Sequence, residues 1–395
     1  MTVSQSDVDP RLAMRNRQPG LDLLRALAII LVVLYHAGLF GFALPFDVQR
    51  FGWVGVDLFF VLSGYLIAGQ LFSPLARGKS PDVRRFYWRR ALRILPAYLA
   101  IVAIYFFLPA AREYPNSPPL WKFLTFTQNL GLRGGTAFSH AWSLCIEFQF
   151  YLLLPFLILA LARRQLSLFV PFVVFIWCIV IRALLAYLNS SLPEPSFGWW
   201  QQWIYYPTYA RLDPLTIGVS LAAIECFRPK WWSALAKSAT WIWLPGLAAI
   251  VIALALAEDG LSIASSAFGF SLIAMGMGAF LICALSPRLP LSRVALPGAA
   301  FLATVAYSIY LSHKLVIHEI QQVCTAHSVA PVLAYLMVMA SILVIGSMLF
   351  FAVERPFLKV RQDYVKPQSD SAIVSSARKS TGRVICNNAI SIVTK

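Results

Sequence analysis

The stretch LDLLRALAIILVVLYHAGLF, residues 21–40, is long enough to cross a bilayer and still carries Arg25 and His36. Crossing the hydrocarbon core in a helix takes about 20 apolar residues, and a charge placed inside it costs at least about 2.5 kcal/mol. Arg25 and His36 therefore face protein or a water-filled cavity, not lipid. Runs of this kind recur, and the pattern predicts ten helices at about 21–40, 53–72, 92–110, 142–161, 168–188, 211–227, 241–257, 264–285, 301–322 and 332–353. We read the chain as all-α, a polytopic membrane protein.

Hydrophobic residues make up 59% of the chain and charged residues only 13%, which excludes an ordinary soluble domain. The net charge of +16 raises nucleic acid as a partner, but the position of the charges points elsewhere. With the N-terminus cytoplasmic, 25 of the 33 Lys and Arg fall in inner segments, four in outer segments and four inside spans. This asymmetry places both termini in the cytoplasm and leaves no case for nucleic acid. The first apolar run is of full spanning length with no small-residue cleavage site after it, so it is read as a retained helix. Expected units are a cytoplasmic segment 1–20, a membrane-embedded domain 21–355 and a Ser- and Lys-rich disordered tail 356–395.

Arg25 and His36 are eleven positions apart, about three helical turns, so both sit on one face roughly 16 Å apart along the axis. In GWVGVDLFFVLSGYLI (52–67), Asp57 lies as far inside the outer edge as His36 does, and an antiparallel hairpin brings the two to one depth. A carboxylate there would fix the imidazole tautomer and support its protonated form. Glu147, about five residues inside the outer edge of the fourth span, is expected at a similar depth. The inner loop holding Arg77, Lys79, Arg84, Arg85, Arg89, Arg90 and Arg93 is the densest basic cluster and suits phosphate oxygens, while also fitting a topology signal or a site for anionic lipid. Arg211 and Asp213 stand at the outer edge of the sixth span, and Tyr310 and His313 stud the ninth. The outer loop 189–210 carries six Trp and Tyr residues, either an interfacial belt or a platform for sugar rings. The histidines show no metal-ligand spacing, and the cysteines none either.

The segments LDLLRALAIILVVLYH, GVDLFFVLSGYLI, RRFYWRRALRILPAYL (84–99), HAWSLCIEFQFYLLLP (140–155), RLDPLTIG (211–218), YSIYLSHKLVI (307–317) and ERPF (354–357) follow one another in the order of the acyltransferase-3 family of integral-membrane acyltransferases. The chain resembles that family along its whole membrane part. The resemblance implies transfer of an acyl group, usually acetyl, from cytoplasmic acyl-CoA to a hydroxyl of a glycan or lipid-linked saccharide. It also implies a multi-pass protein of a bacterial-type inner membrane, contacting membrane lipids, with acyl-CoA as a substrate and no permanently bound cofactor or metal. The family's functional Arg and His fall on Arg25 and His36. Many relatives have a second carboxylate where this chain has Phe148, so Glu147 would act alone. Some relatives add an extracytoplasmic hydrolase-like domain.

Roles follow from that combination. His36, Asp57 and Glu147 are the expected catalytic group, with His36 acting either as general base or as acyl carrier. Arg25, Arg85, Arg89, Arg90 and Arg93 are expected to bind the donor, and Arg211, Asp213, Tyr310 and His313 to shape the acceptor side. The competing class is an exporter of a small acylated or anionic solute, with the intramembrane charges lining its path.

Overall fold

The computed structural model describes residues 18–42, 49–162 and 169–363. Among these residues there is no strand, and nine helices are long and apolar enough to cross a membrane. They are α1 (Pro19–Leu39), α2 (Val54–Ala76), α3 (Val83–Phe107), α4 (Trp142–Ala162), α5 (Phe169–Ser190), α7 (Pro229–Ala257), α8 (Ile263–Leu285), α9 (Ala299–Ala326) and α10 (Pro331–Leu349), with the shorter α6 (Asp213–Phe227) and α11 (Arg355–Asp363) between and after them. The helix starts are chemically marked. Proline occupies the first turn of α1, α6, α7 and α10, where no backbone N–H is lost, and Asp82 and Ser262 cap α3 and α8.

The expected span 211–227 is corrected by the structure: α6 has 15 residues, about 22 Å, less than the hydrocarbon core requires. Its sequence is apolar enough, but the helix begins only at Asp213–Pro214, with Arg211 in the turn before it. The stretch before it includes a π turn at Gln201–Tyr205, of which Ile204 is fully buried in the protein. α6 runs parallel to α2, with Arg211 on Asp57 near their starts and Phe227 against Phe72 near their ends.

Burial ranks the helices. In α2 and α8, 72% of the most apolar window is buried, and in α9 67%, against 22% in α5, α7 and α10, so the first three form the centre and the others face lipid. Glycine permits the closest approach. A Cβ on Gly64 would stand 2.2 Å from the Leu215 carbonyl oxygen, and one on Gly218 2.2 Å from that of Val61. Gly64→Ala is therefore expected to push α6 from α2 and to destabilise the protein by about 1–3 kcal/mol, seen as a lower midpoint in thermal unfolding in detergent.

Past α10 the chain forms a π turn, Phe350–Glu354, and then α11, which packs on α3. The expected disordered tail thus begins as ordered helix through Asp363, and 364–395 lie outside the described residues, as do 1–17 and the inner-loop arginines Arg163 and Arg164.

Candidate active site

Three adjoining cavities run through the helix bundle. The first, about 420 Å³, is walled by aromatic side chains, among them Trp142, Trp200, Tyr205 and Tyr206, and His36, His140 and Lys314 line it. The second, about 180 Å³, holds Ser63, Glu147 and Tyr151. It meets the first at Val56 and Tyr310, which line both. The third, about 900 Å³, is the widest and shares Arg25, Arg90 and Arg93 with the second. Arg25 and His36 therefore stand on one helix face with the middle cavity between them.

Hydrogen bonds fix the protonation pattern around His36. A backbone carbonyl accepts only, so Nδ1 of His36, 2.9 Å from the Val32 oxygen, carries a proton, as does Nδ1 of His313, 2.8 Å from the Tyr310 oxygen. The His313 Nε2 lone pair then receives a share of the His36 Nδ1–H across 3.2 Å. The lone pair of His36 is left on Nε2. His140 donates from Nε2 to the Leu311 carbonyl at 3.3 Å, and its buried Nδ1 has no hydrogen-bond partner among the described residues. Its ring centre is 4.8 Å from that of His313 and 6.1 Å from that of His36. Three imidazoles on α1, α9 and the turn before α4 thus form one cluster.

Two further contacts hold the cluster. Tyr310 donates to the His140 carbonyl oxygen at 2.7 Å and accepts from the Ser143 hydroxyl at 2.5 Å, which fixes the junction between the first two cavities. Lys314 on α9 bonds the Ser139 hydroxyl at 3.0 Å and pairs with Glu113 at 3.1 Å, and Glu113 also accepts from the Phe138 N–H. This buried pair pins the loop 111–140 across the top of the cavity. Next to it, burial and the Glu113 carboxylate raise the Tyr114 phenol above its ordinary pKa, so it lines the cavity as a neutral hydroxyl.

The Asp57–His36 pair expected from matched depth is corrected. Asp57 accepts from Arg211 Nη2 at 2.8 Å, and both side chains are fully buried. A carboxylate sealed in an apolar core needs a full opposite charge, and the turn leading into the parallel α6 supplies one. Arg211 also lies 3.6 Å from the Phe270 ring centre and close to Trp142 and Tyr205, behind the aromatic wall of the first cavity. Asp213 is likewise paired away from the cavity: Arg182 reaches it at 2.9 Å and spends its other donors on Ser271 and on backbone carbonyls of Ala210, Ser266 and Ala267. Arg211 and Asp213, expected on the acceptor side, therefore brace the wall of the first cavity instead of lining it.

Glu147 is also displaced from its expected level. It lines the middle cavity and accepts from the Tyr151 hydroxyl at 2.8 Å, with Ser63 bonded to the same hydroxyl. The loop before α4 folds in among the helices, so His140 comes to His36 and Ser143 to Tyr310, and Glu147 falls about one turn beyond Ser143. Of the expected donor arginines, Arg25, Arg90 and Arg93 line the second and third cavities, whereas Arg85 and Arg89 are not among the lining residues. Arg25 is near Asp22 at 3.4 Å, and Arg93 is ion-paired with the buried Glu354.

His140, Glu113 and Glu354 were missed by sequence reasoning. His140 and Glu113 sit in or beside a loop that reads as solvent-facing, and only its histidine immediately before an apolar span signals that the loop folds back among the helices, where His140 is buried.

Comparison with known proteins follows the same lines. The family described as "Acyltransferase domain", acyltransferase-3, matches residues 18–351. The O-acetyltransferase OatA of Staphylococcus aureus is 32% identical over 225 residues, covering 52% of this chain and 34% of the relative. The peptidoglycan O-acetyltransferase OatA of Listeria monocytogenes is 34% identical over 166 residues, 38% of this chain and 25% of the relative. A putative peptidoglycan O-acetyltransferase, YrhL, of Bacillus subtilis is 32% identical over 228 residues, 52% of this chain and 33% of the relative. The matched part thus spans about a third or less of each of these relatives. No solved structure matches. With a family match over nearly the whole helical bundle, and with the Arg25 and His36 positions joined by one run of cavities, this chain belongs to the acyltransferase-3 family of membrane acyltransferases.

Proposed function

We propose that the protein is a membrane O-acyltransferase that takes an acyl group, acetyl by likeness to its relatives, from acyl-CoA at its basic face and esterifies a saccharide hydroxyl at its aromatic face. The observation that carries this reading is the run of three cavities with opposite characters at its two ends. The wide basic end suits a polyanionic donor, and the aromatic end suits stacking on sugar rings. By charge asymmetry the basic end is cytoplasmic. Two of the relatives' names specify peptidoglycan, which supports a cell-wall saccharide as acceptor.

In this mechanism the donor's phosphates stay in the basic cavity and its thioester arm passes Glu147 to the junction at Val56 and Tyr310. The acceptor hydroxyl lies against His36 Nε2, the nitrogen with the lone pair. His36 removes the hydroxyl proton as the oxygen attacks the thioester carbonyl, the C–S bond breaks, and the proton leaves with the thiolate as free CoA thiol. His313 takes part of the His36 Nδ1–H and so keeps the ring in the tautomer that this step needs. Lys314 and Ser139 supply donors at the same cavity wall.

Mass spectrometry of surface glycans tests the reading. Cells making the natural chain are expected to carry an ester-linked acyl mass that is missing from cells with His36→Ala or without the chain. Identical glycans in all three, with an altered distribution of a small solute, would replace the enzyme with an exporter.

A further inference from the structure

The basic cavity is walled in part by the C-terminal segment: Phe350 of the π turn and Leu358 and Arg361 of α11 line it. Its arginines divide by depth. Arg25, Arg90 and Arg93 reach on into the middle cavity, while Arg77 and Arg361 line only the wide end. Charge on this wall is not balanced from within. Among its described lining residues the carboxylates are Asp22, which stands by Arg25, and Glu225, which accepts from Tyr65 at 2.6 Å; Arg93 is paired from behind by Glu354, and Arg77, Arg90 and Arg361 have no ion pair among the described residues. Arg361 repels Arg89, Arg90 and Arg93 electrostatically, and the buried Nε of Arg90 has no partner among the described residues. Cations held close together with a donor unspent describe a site for a multiply charged anion.

We propose that α11 is part of the donor site: Arg361 binds the nucleotide phosphates of the acyl donor, and Glu354 positions Arg93 at the passage to the middle cavity. This rests on the acyl-CoA reading above. Glu354 is suited to that task because it is buried, pairs with Arg93 and accepts from Ser308 at 2.8 Å, so its π turn is locked to α3 and α9 at once. Arg361 follows two helical turns later, which carries its guanidinium to the mouth. Phosphate is common to the donor and to anionic lipid headgroups, so the test separates the two.

The protein is reconstituted in phosphatidylcholine vesicles, with and without phosphatidylglycerol, and assayed with acetyl-CoA and with acetyl-pantetheine, which has the same thioester arm and no nucleotide. Arg361→Ala is expected to raise KM for acetyl-CoA about tenfold in both vesicles, to leave turnover of acetyl-pantetheine unchanged, and to be partly rescued by Arg361→Lys. Unchanged acetyl-pantetheine turnover also certifies that the variant is folded. Equal losses with both donors, no loss with either, or a loss confined to phosphatidylglycerol vesicles would overturn the proposal. A natural chain that turns over neither thioester would instead sink the acyl-transfer reading itself.

Discussion

His36→Ala is expected to lower kcat for acyl transfer by about 10²- to 10⁴-fold, the usual contribution of a positioned general base, with KM for the donor unchanged. The loss falls on kcat because His36 lines the aromatic cavity, away from Arg25, Arg90 and Arg93, to which we assign the donor. Its Nδ1 is tied to Val32 and His313, so only Nε2 can meet a substrate. Alanine removes that base without disturbing Arg25, three turns away. Steady-state kinetics of the purified protein in vesicles, normalised to folded protein, would give the ratio. A raised KM with kcat intact would move His36 from chemistry to binding.

The second large effect is on stability. Arg211→Ala and Asp57→Ala are each expected to cost about 3–5 kcal/mol, because each leaves a fully buried charge without its partner. The double replacement by leucine is expected to recover most of that loss, since no charge then remains to be compensated. Thermal unfolding followed by size-exclusion fluorescence measures both. Asp57→Ala that kept full stability and lost kcat as far as His36→Ala does would return Asp57 to the chemistry.

Much of the arrangement was legible in the sequence for a simple reason: a lipid bilayer permits few solutions. Apolar runs of spanning length gave the helices, and the eleven-residue spacing of Arg25 and His36 gave their shared face. The expectation failed where partners are chosen by three-dimensional packing. Depth alone put Asp57 beside His36, but depth does not say which partner is adjacent, and the turn before α6 brings Arg211 to the carboxylate first. The same limit hid the inward dip of the loop before α4, which carries His140 into the imidazole cluster and moves Glu147 down to the middle cavity. Composition also misread the start of the tail. Arg355–Asp363 is polar along much of its length, yet it is anchored through the buried Glu354 just before it.

The most direct measurement uses sealed vesicles with the protein in one orientation, radiolabelled acetyl-CoA supplied only at the basic face, and a cell-wall saccharide only at the aromatic face. A run of cavities with His36 near its far end predicts labelled ester on the saccharide and free CoA on the donor side in equal amounts. Ester formed only when donor and acceptor share one side of the membrane would contradict it.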